Sequence, residues 1–485
     1  MAEPRAYHGD AAPHDVLDAA GIQRILGATF QLLGEVGVKF DPKSRAMDIF
    51  SEAGCSVSPE GIVRFPRELV QQSIDSAGQS FKLWDRSGTD FIEFDDRHTI
   101  LMAGVTCMNV VDLETDTPRP ATREDLATIT RVADALDQVD GVCLPCKIAD
   151  EASVEGEVAE FVTLASNTTK PITYLCNDVR AMEAAIEIAA TIRGGPDQLR
   201  ERPYFYFMIT PLPLHYLEQN AEQIFVGVEK GIPLFCCTTS VGGAAAPVTI
   251  AGNLAHCLAT DFAGLVLSQL LEQGSYFACA SVPVFINPAT AEMGGLPEMI
   301  LAEAAKSQIL RSLGLPPCGG VAGACAGRRE FDLYNACTAT ATMLQTAYSQ
   351  SGYSWCLGTV DSTMTFSLEA LLYCNELVGW LRRLWKGIRI DDETLALDVT
   401  RNLGPGGDYL GEEHTARHCR SELWNPKYYR IPVDKTEGGT SPNKRQMMSV
   451  IREDLQKILA THSPEPFSVS LQREIESIVA KFQVA

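Results

Sequence analysis

RPYFYFMITPLPLHYLEQNAEQIFVGVEKGIPLFCCTTS, residues 202–240, is the stretch whose reading decides the fold. Two apolar runs rich in aromatic and strand-forming residues, RPYFYFMIT (202–210) and IPLFCCTTS (232–240), flank a helical segment. A strand, a helix and a second strand in that order predict a parallel sheet with its helices packed outside. Six more runs of the same kind extend the pattern: HTILMAGVTCM (98–108), VDGVCLPCKI (139–148), KPITYLCND (170–178), SYFACASV (275–282), PCGGVAGAC (317–325) and YSWCLGTVD (353–361). The helices between them have recognisable ends. Thr122 to Asp125 reads as a capping box, and MEAAIEIAATIR (182–193) stops at Gly194-Gly195-Pro196. Pro297 opens a helix that runs to Gly314, Asp332 caps one ending near Gly352, and Ser367 caps one ending at Gly387. Eight strands, each followed by a helical segment, predict an α/β fold with a (β/α)8 TIM barrel over residues 98–387. A doubly wound open sheet competes with that reading, but GVAGACAG (320–327) is neither GxGxxG nor a P-loop.

Outward from the barrel, residues 1–97 read as an N-terminal helical, α+β extension, whose first helix closes at Gly34 and Gly37. Residues 388–485 read as a C-terminal helical segment with a glycine hinge at Gly404–Gly407 and a final amphipathic helix from Pro464 onward. Gly407–His414 is placed to fold over the barrel mouth as a lid.

The composition narrows the function. The chain has 485 residues, with 46% hydrophobic and 21% charged, which excludes a mostly disordered or fibrous protein. Lys and Arg total 40 against 62 Asp and Glu, and a net charge of −22 argues against a nucleic-acid partner. The start, MAEPRAYHGDAAPHD, has no signal-peptide pattern, and the sequence shows no run of about twenty apolar residues. The expectation is a cytoplasmic protein with no membrane partner. Fifteen cysteines sit largely inside apolar runs, the pattern of buried thiols in a reducing compartment. Cys143 and Cys146 form a lone CxxC without a second pair, so no metal site is expected.

In such a barrel the site lies in the loops after the strands. Those loops are Thr106–Asn109, Pro145–Lys147, Asn177-Asp178, Ile209–Pro211, Thr238–Val241, Ser281–Asn287, Ala324–Arg328 and Val360–Thr363. They hold no His and no Glu, and only Asp178, Asp361, Lys147 and Arg328 carry charge. A site so short of proton-transfer groups implies that side chains do not perform the hard chemistry. Aromatic residues lie close by: Tyr204, Tyr206, Phe285, Tyr353 and Trp355. Aromatic faces around a cavity hold a quaternary ammonium, and packing the barrel layers is the competing use of the same rings. His414 and His418 have the i, i+4 spacing of helical zinc pairs, but the motif lacks the Glu of HExxH and a third ligand.

Several stretches together resemble the trimethylamine methyltransferase family. They are LGEVGVKFD (33–41), SEAGCSV (51–57), VRFPRELVQQSI (63–74), DTPRPATREDLATITRVADAL (116–136), AAAPVTIAGNLAHCLATDFAGLVLSQL (244–270) and IDDETLALDVTRNLGPGGDYLGEEHTARHCRSELWNP (390–426). The likeness runs from about residue 25 to 430. It implies a barrel that passes a methyl group from a methylamine to the Co(I) of a corrinoid (cobalamin) held by a separate corrinoid protein. Founding members of the family carry pyrrolysine in the barrel mouth, whereas this sequence has none; its counterpart falls within Ala322–Gly327.

Pyrrolysine-free relatives are expected to act on quaternary amines such as glycine betaine, proline betaine or carnitine-like compounds. The resemblance names no catalytic side chain. Tyr204, Tyr206, Phe285, Asn287, Arg328, Trp355, Asp361 and His414 are the substrate-binding candidates. Arg328, Arg329 and His414, and after them Lys147, are the partners available to a substrate carboxylate. A homo-oligomer is expected. The alternatives are a metal-dependent barrel lyase or aldolase using His414 and His418, and a non-catalytic amine-binding scaffold.

Overall fold

The computed structural model describes residues 14–149, 153–291, 293, 297–323, 331–428 and 444–482. Seven of the eight anticipated runs form strands: β1 (Ile100–Ala103), β2 (Gly141–Cys143), β3 (Ile172–Tyr174), β4 (Phe205–Ile209), β5 (Leu234–Cys236), β6 (Phe277–Cys279) and β7 (Tyr353–Leu357). They make one parallel sheet in the order β6-β5-β4-β3-β2-β1-β7, so chain order is spatial order and β7 returns beside β1.

The run at 317–325 joins no ladder among its described residues, 317–323. Pro317 has no N–H to offer, and Gly319 sits at φ +110°, outside the strand region. The run still lies along β7: Gly352 donates to the Pro317 carbonyl at 2.8 Å, and Trp355 donates to that of Gly320 at 3.2 Å.

Helices follow the strands as the local signals require: α1 (Arg123–Ala135), α2 (Val154–Asn167), α3 (Val179–Arg193), α4 (Glu218–Lys230), α5 (Ile250–Leu271), α6 (Pro297–Ser312), α7 (Leu333–Ser349) and α8 (Leu368–Trp385). Thr122 and Asp125 form a reciprocal capping box at α1, and Gly194 ends α3 in the left-handed conformation. Asp332 caps α7 and Ser367 caps α8. By length and composition α5 could cross a membrane, contrary to the sequence reading that no such run exists. It is a core helix here, with 83% of its most apolar window buried inside the protein.

A hairpin, Phe81–Trp84 with Phe91–Phe94, closes the end of the barrel where the strands begin. Phe94 packs 5.4 Å from Phe235 and 5.5 Å from Tyr353, ring centre to ring centre. The N-terminal extension is joined to the barrel by a shared sheet. In that sheet Val38–Phe40 pairs in parallel with His215–Tyr216, which comes from the loop after β4, and Ile62–Arg64 and then Ser56–Val57 add on its other side.

The tail packs on the outer wall. Lys444–Thr461 lies against α8 and α1, and Val469–Phe482 against α3 and α2. The described cysteines are all free, and twelve of the fourteen are buried.

Candidate active site

The mouth is built from the segments that leave the carboxyl ends of the strands. Beyond β5 and β6 the chain continues as Thr239–Gly242 paired in parallel with Val282–Phe285. Asn253 of α5 fastens this extension by donating to the Ser240 carbonyl at 3.0 Å. A second rim sheet joins Asn109–Val111 and Pro118–Pro120 to Thr359–Val360 and Thr365–Phe366.

Strain gathers between these pieces. Cys356 (φ +82°) sits in a bulge of β7, Thr106 (φ +40°) follows β1, and Asp361, Ser362 and Thr363 form three successive left-handed residues at +55°, +51° and +69°. Non-glycine residues held there cost about 1–3 kcal/mol each, and they cluster where function fixes geometry. Ser362 fastens the turn across the rim, donating to the Met293 carbonyl at 3.0 Å.

Below the mouth the inward column of β7 is aromatic. Tyr353 and Trp355 both face the barrel axis, with ring centres 5.2 Å apart. The Tyr353 hydroxyl lies 2.9 Å from that of Thr173 on β3. Trp355 is one residue pair closer to the mouth than Tyr353 and is 2% exposed. Thiols share this interior. Burial pushes Cys143 up to about 12 and raises Cys237, Cys318 and Cys356, so all four are neutral near pH 7.

The candidate residues divide by position. Phe285, Asn287, Trp355 and Asp361 belong to the mouth side. Phe285 is buried with its ring on Gly242, where a Cβ would meet it at 2.7 Å, so only glycine leaves that ring its place. Asn287 shapes the following turn, its Oδ1 accepting from Ala289 at 2.9 Å. Asp361 accepts from the Thr365 hydroxyl at 3.4 Å.

Tyr204 and Tyr206 belong elsewhere. Tyr204 precedes β4, at the opposite end of the barrel, with the Arg193 guanidinium 5.1 Å from its ring centre. Tyr206 stacks 4.0 Å from Phe235 and 5.4 Å from Tyr353, in the aromatic layer above the hairpin. These two rings pack the barrel floor and do not line the mouth. Arg328 and Arg329 lie outside the described residues.

His414 is not part of a lid. Its Nε2 lies 3.1 Å from the Glu393 carbonyl oxygen, and its ring is 4.5 Å from that of His418. His418 in turn pairs with the Glu393 carboxylate at 3.1 Å. The helix carrying both, Glu413–Glu422, is tied to Arg383 near the end of α8, far from the mouth, because α8 runs antiparallel to the strands. That geometry removes Gly407–His414 from the mouth. Among the described residues no group of three or more His, Cys, Asp or Glu side chains could hold a metal ion.

The loops alone also hid acidic groups. Glu157 and Glu160 reach the rim from the first turns of α2. Lys147 donates to Glu160 at 2.7 Å, and Glu157 accepts from the Asn177 and Asp178 backbones at 2.8 and 3.1 Å. Lys147 is therefore neutralised within the protein, and a substrate carboxylate finds no free charge there. Burial raises the Glu160 carboxyl, and Lys147 opposes that rise.

A buried ionic group lies behind the wall between β6 and the run at 317–323. It consists of Asp261 of α5 with Glu303 and Lys306 of α6. Burial raises Asp261 to about 6 and Glu303 to about 7. A sequence signal existed for it, since an i, i+3 Glu–Lys pair interrupts the apolar face of α6, and Asp261 does the same in α5.

The model of the trimethylamine methyltransferase (MTTB) family matches residues 2–484. A trimethylamine methyltransferase of Desulfitobacterium hafniense (strain DSM 10664 / DCB-2) is 28% identical over 458 residues, covering 93% of this chain and 90% of that one. A glycine betaine methyltransferase of Desulfitobacterium hafniense (strain Y51) is 23% identical over 477 residues, covering 96% and 97%. The crystal structure of the Methanosarcina barkeri monomethylamine methyltransferase superposes with a TM-score of 0.54 at 14% identity, covering 92% of this chain and 89% of that one.

Proposed function

We propose that this chain, which belongs to the trimethylamine methyltransferase family, moves a methyl group from a quaternary amine to the Co(I) of a corrinoid carried by a partner protein. The observation that carries the reading is a family match from end to end in a sequence without pyrrolysine. A glycine betaine methyltransferase among its relatives supports the substrate class.

The chemistry explains why such a site needs little acid–base equipment. The cobalt electron pair forms the new bond to the methyl carbon, and the C–N pair leaves with a tertiary amine that is already neutral. No proton has to move on departure. The chain's task is to aim one N–CH3 bond outward through the mouth in a water-poor setting, a proximity and desolvation effect.

Trp355, Phe285 and Asp361 are the residues we assign to the ammonium group. A desolvated aromatic face contributes about 2 kcal/mol or more toward such a cation. The neutral thiols below do not compete for the methyl group, because a thiol is a poor nucleophile until ionised. For a betaine carboxylate we assign Arg328.

We read the run at 317–323 as the seventh stave of a complete (β/α)8 barrel. The assembly we expect is a cytoplasmic homo-oligomer, on the large apolar side chains that residues 388–423 leave at the surface, Ile388, Leu410 and Leu423 among them.

The test is direct. Purified protein, a Co(I) corrinoid protein and a panel of glycine betaine, proline betaine, carnitine and trimethylamine are mixed and the cobalt spectrum is followed. Methylation from at least one quaternary amine supports the reading. None across the panel overturns it.

A further inference from the structure

The parallel sheet is continuous by backbone hydrogen bonds from β6 round to β7, but not between β6 and the run at 317–321. On one side of that seam, β6 continues its ladder with β5: Ala280 donates to Cys236 and Val282 to Thr238, each at 2.8 Å. On the other side the run bonds to the start of β7, with Gly319 donating to Tyr353 at 3.3 Å. No backbone hydrogen bond joins the two sides among the described residues.

Behind the run the packing leaves only a small void, lined by Met299, Glu303, Gly319, Gly320, Thr342 and Gln345 among others.

One side chain bridges the seam. The Lys306 ammonium, 0% exposed, donates to the Ser281 carbonyl at the end of β6 and to the Cys318 carbonyl in the run, the second at 3.2 Å. Asp261 lies 3.7 Å from the same ammonium, and the Ser281 hydroxyl donates to the Asp261 carboxylate. The ammonium and its counter-charge thus hold the same β6 terminus. Gly319 leaves the space: a Cβ there would come within 3.1 Å of Lys306 Nζ, at a φ of +110° that disfavours any other residue.

We infer that Lys306 is a positioning residue that closes the barrel, its ammonium taking the place of the absent ladder between β6 and the run at 317–321. Two segments leave that seam for the mouth: Val282–Asn287, which carries Phe285, and Val321–Gly323. Charge-assisted bonds to two carbonyls fix both origins with one group. Glu303 supplies further negative potential, but both of its oxygens are buried without a hydrogen bond among the described residues. It is therefore not part of the clamp.

The experiment uses the full-length protein and the double variant Lys306→Met/Asp261→Asn made in a Glu303→Gln background, which removes the clamp without stranding a lone buried carboxylate. The readout is native-state labelling of Cys318 by a maleimide, mapped by mass spectrometry, beside the urea midpoint. The inference predicts that Cys318 labels about ten- to a hundred-fold faster, ahead of Cys143 and Cys374, because only the seam opens. Glu303→Gln, with the carbonyl contacts intact, should label at the wild-type rate. Labelling of Cys318 that is unchanged, or that rises only together with all buried thiols, overturns the inference.

A kinetic arm rests on the methyl-transfer reading: the double variant should raise the amine KM more than it lowers kcat. If wild-type protein transfers no methyl group, that reading fails while the labelling result still decides the clamp.

Discussion

Replacing Glu303 by Gln should stabilise the protein, and more so at higher pH. Glu303 is buried, its carboxylate accepts no hydrogen bond among the described residues, and burial raises it from 4.5 to about 7 while Lys306 pulls the other way. An acid raised in the folded state binds its proton more tightly there than in the unfolded chain. Its stability contribution is therefore whole below pH 4.5 and is lost as pH climbs to about 7. The gap between those two values amounts to about 3 kcal/mol at pH 8 and about 1.4 kcal/mol at pH 5.5. Gln keeps the shape and never ionises. Whatever its own burial costs is the same at both pH values, so the variant should gain about 2 kcal/mol relative to wild type between pH 5.5 and pH 8. Urea unfolding of both proteins at the two pH values gives the difference directly. A variant whose stability relative to wild type does not change with pH, or that loses ground as pH rises, refutes the argument that an unbonded buried carboxyl titrates here.

The remaining predictions rest on where side chains sit. Gly319→Ala, at φ +110° and 3.1 Å from the Lys306 ammonium, should destabilise by about 1–3 kcal/mol in urea unfolding; a change near zero would contradict that crowding. Trp355→Leu should raise the KM for a quaternary amine by about ten-fold or more through loss of an aromatic face, measured on folded protein; an unchanged KM removes Trp355 from the site. Tyr204→Phe, at the far end of the barrel, should leave KM within about two-fold of wild type, as substitutions remote from a site do. His414→Ala should do the same, and a large loss of substrate binding would restore a lid.

How much of the fold is legible in the sequence depends on how local each signal is. The caps at Thr122, Gly194, Asp332 and Ser367 are readable because each is a side chain or glycine acting within one helical turn. Apolar runs locate seven strands, since burial on both faces demands such runs. The run at 317–323 has the same apolar composition, but Pro317 and Gly319 set a backbone that bonds to β7 without forming a ladder, and hydropathy does not register that.

Alternation puts Tyr353 and Trp355 on one face, and the stacking in the barrel shows that this face looks inward. Tyr204 and Tyr206 are less tractable. Only the strand limits, with β4 beginning at Phe205, show that the first lies outside the sheet and the second at its floor. Lys306, Asp261 and Glu303 escape a reading confined to the loops after the strands, because these groups reach the wall from helices behind it. Glu157 and Glu160 escape for the same reason.

The measurement that tests the central claim most directly is the cobalt spectrum during single-turnover mixing of this protein with a Co(I) corrinoid protein and either glycine betaine or trimethylamine. The account predicts alkyl-cobalt formation from the quaternary amine, with dimethylglycine released in equal amount, and none from the tertiary amine. Transfer from trimethylamine alone, or from no amine in the wider betaine panel, would contradict it.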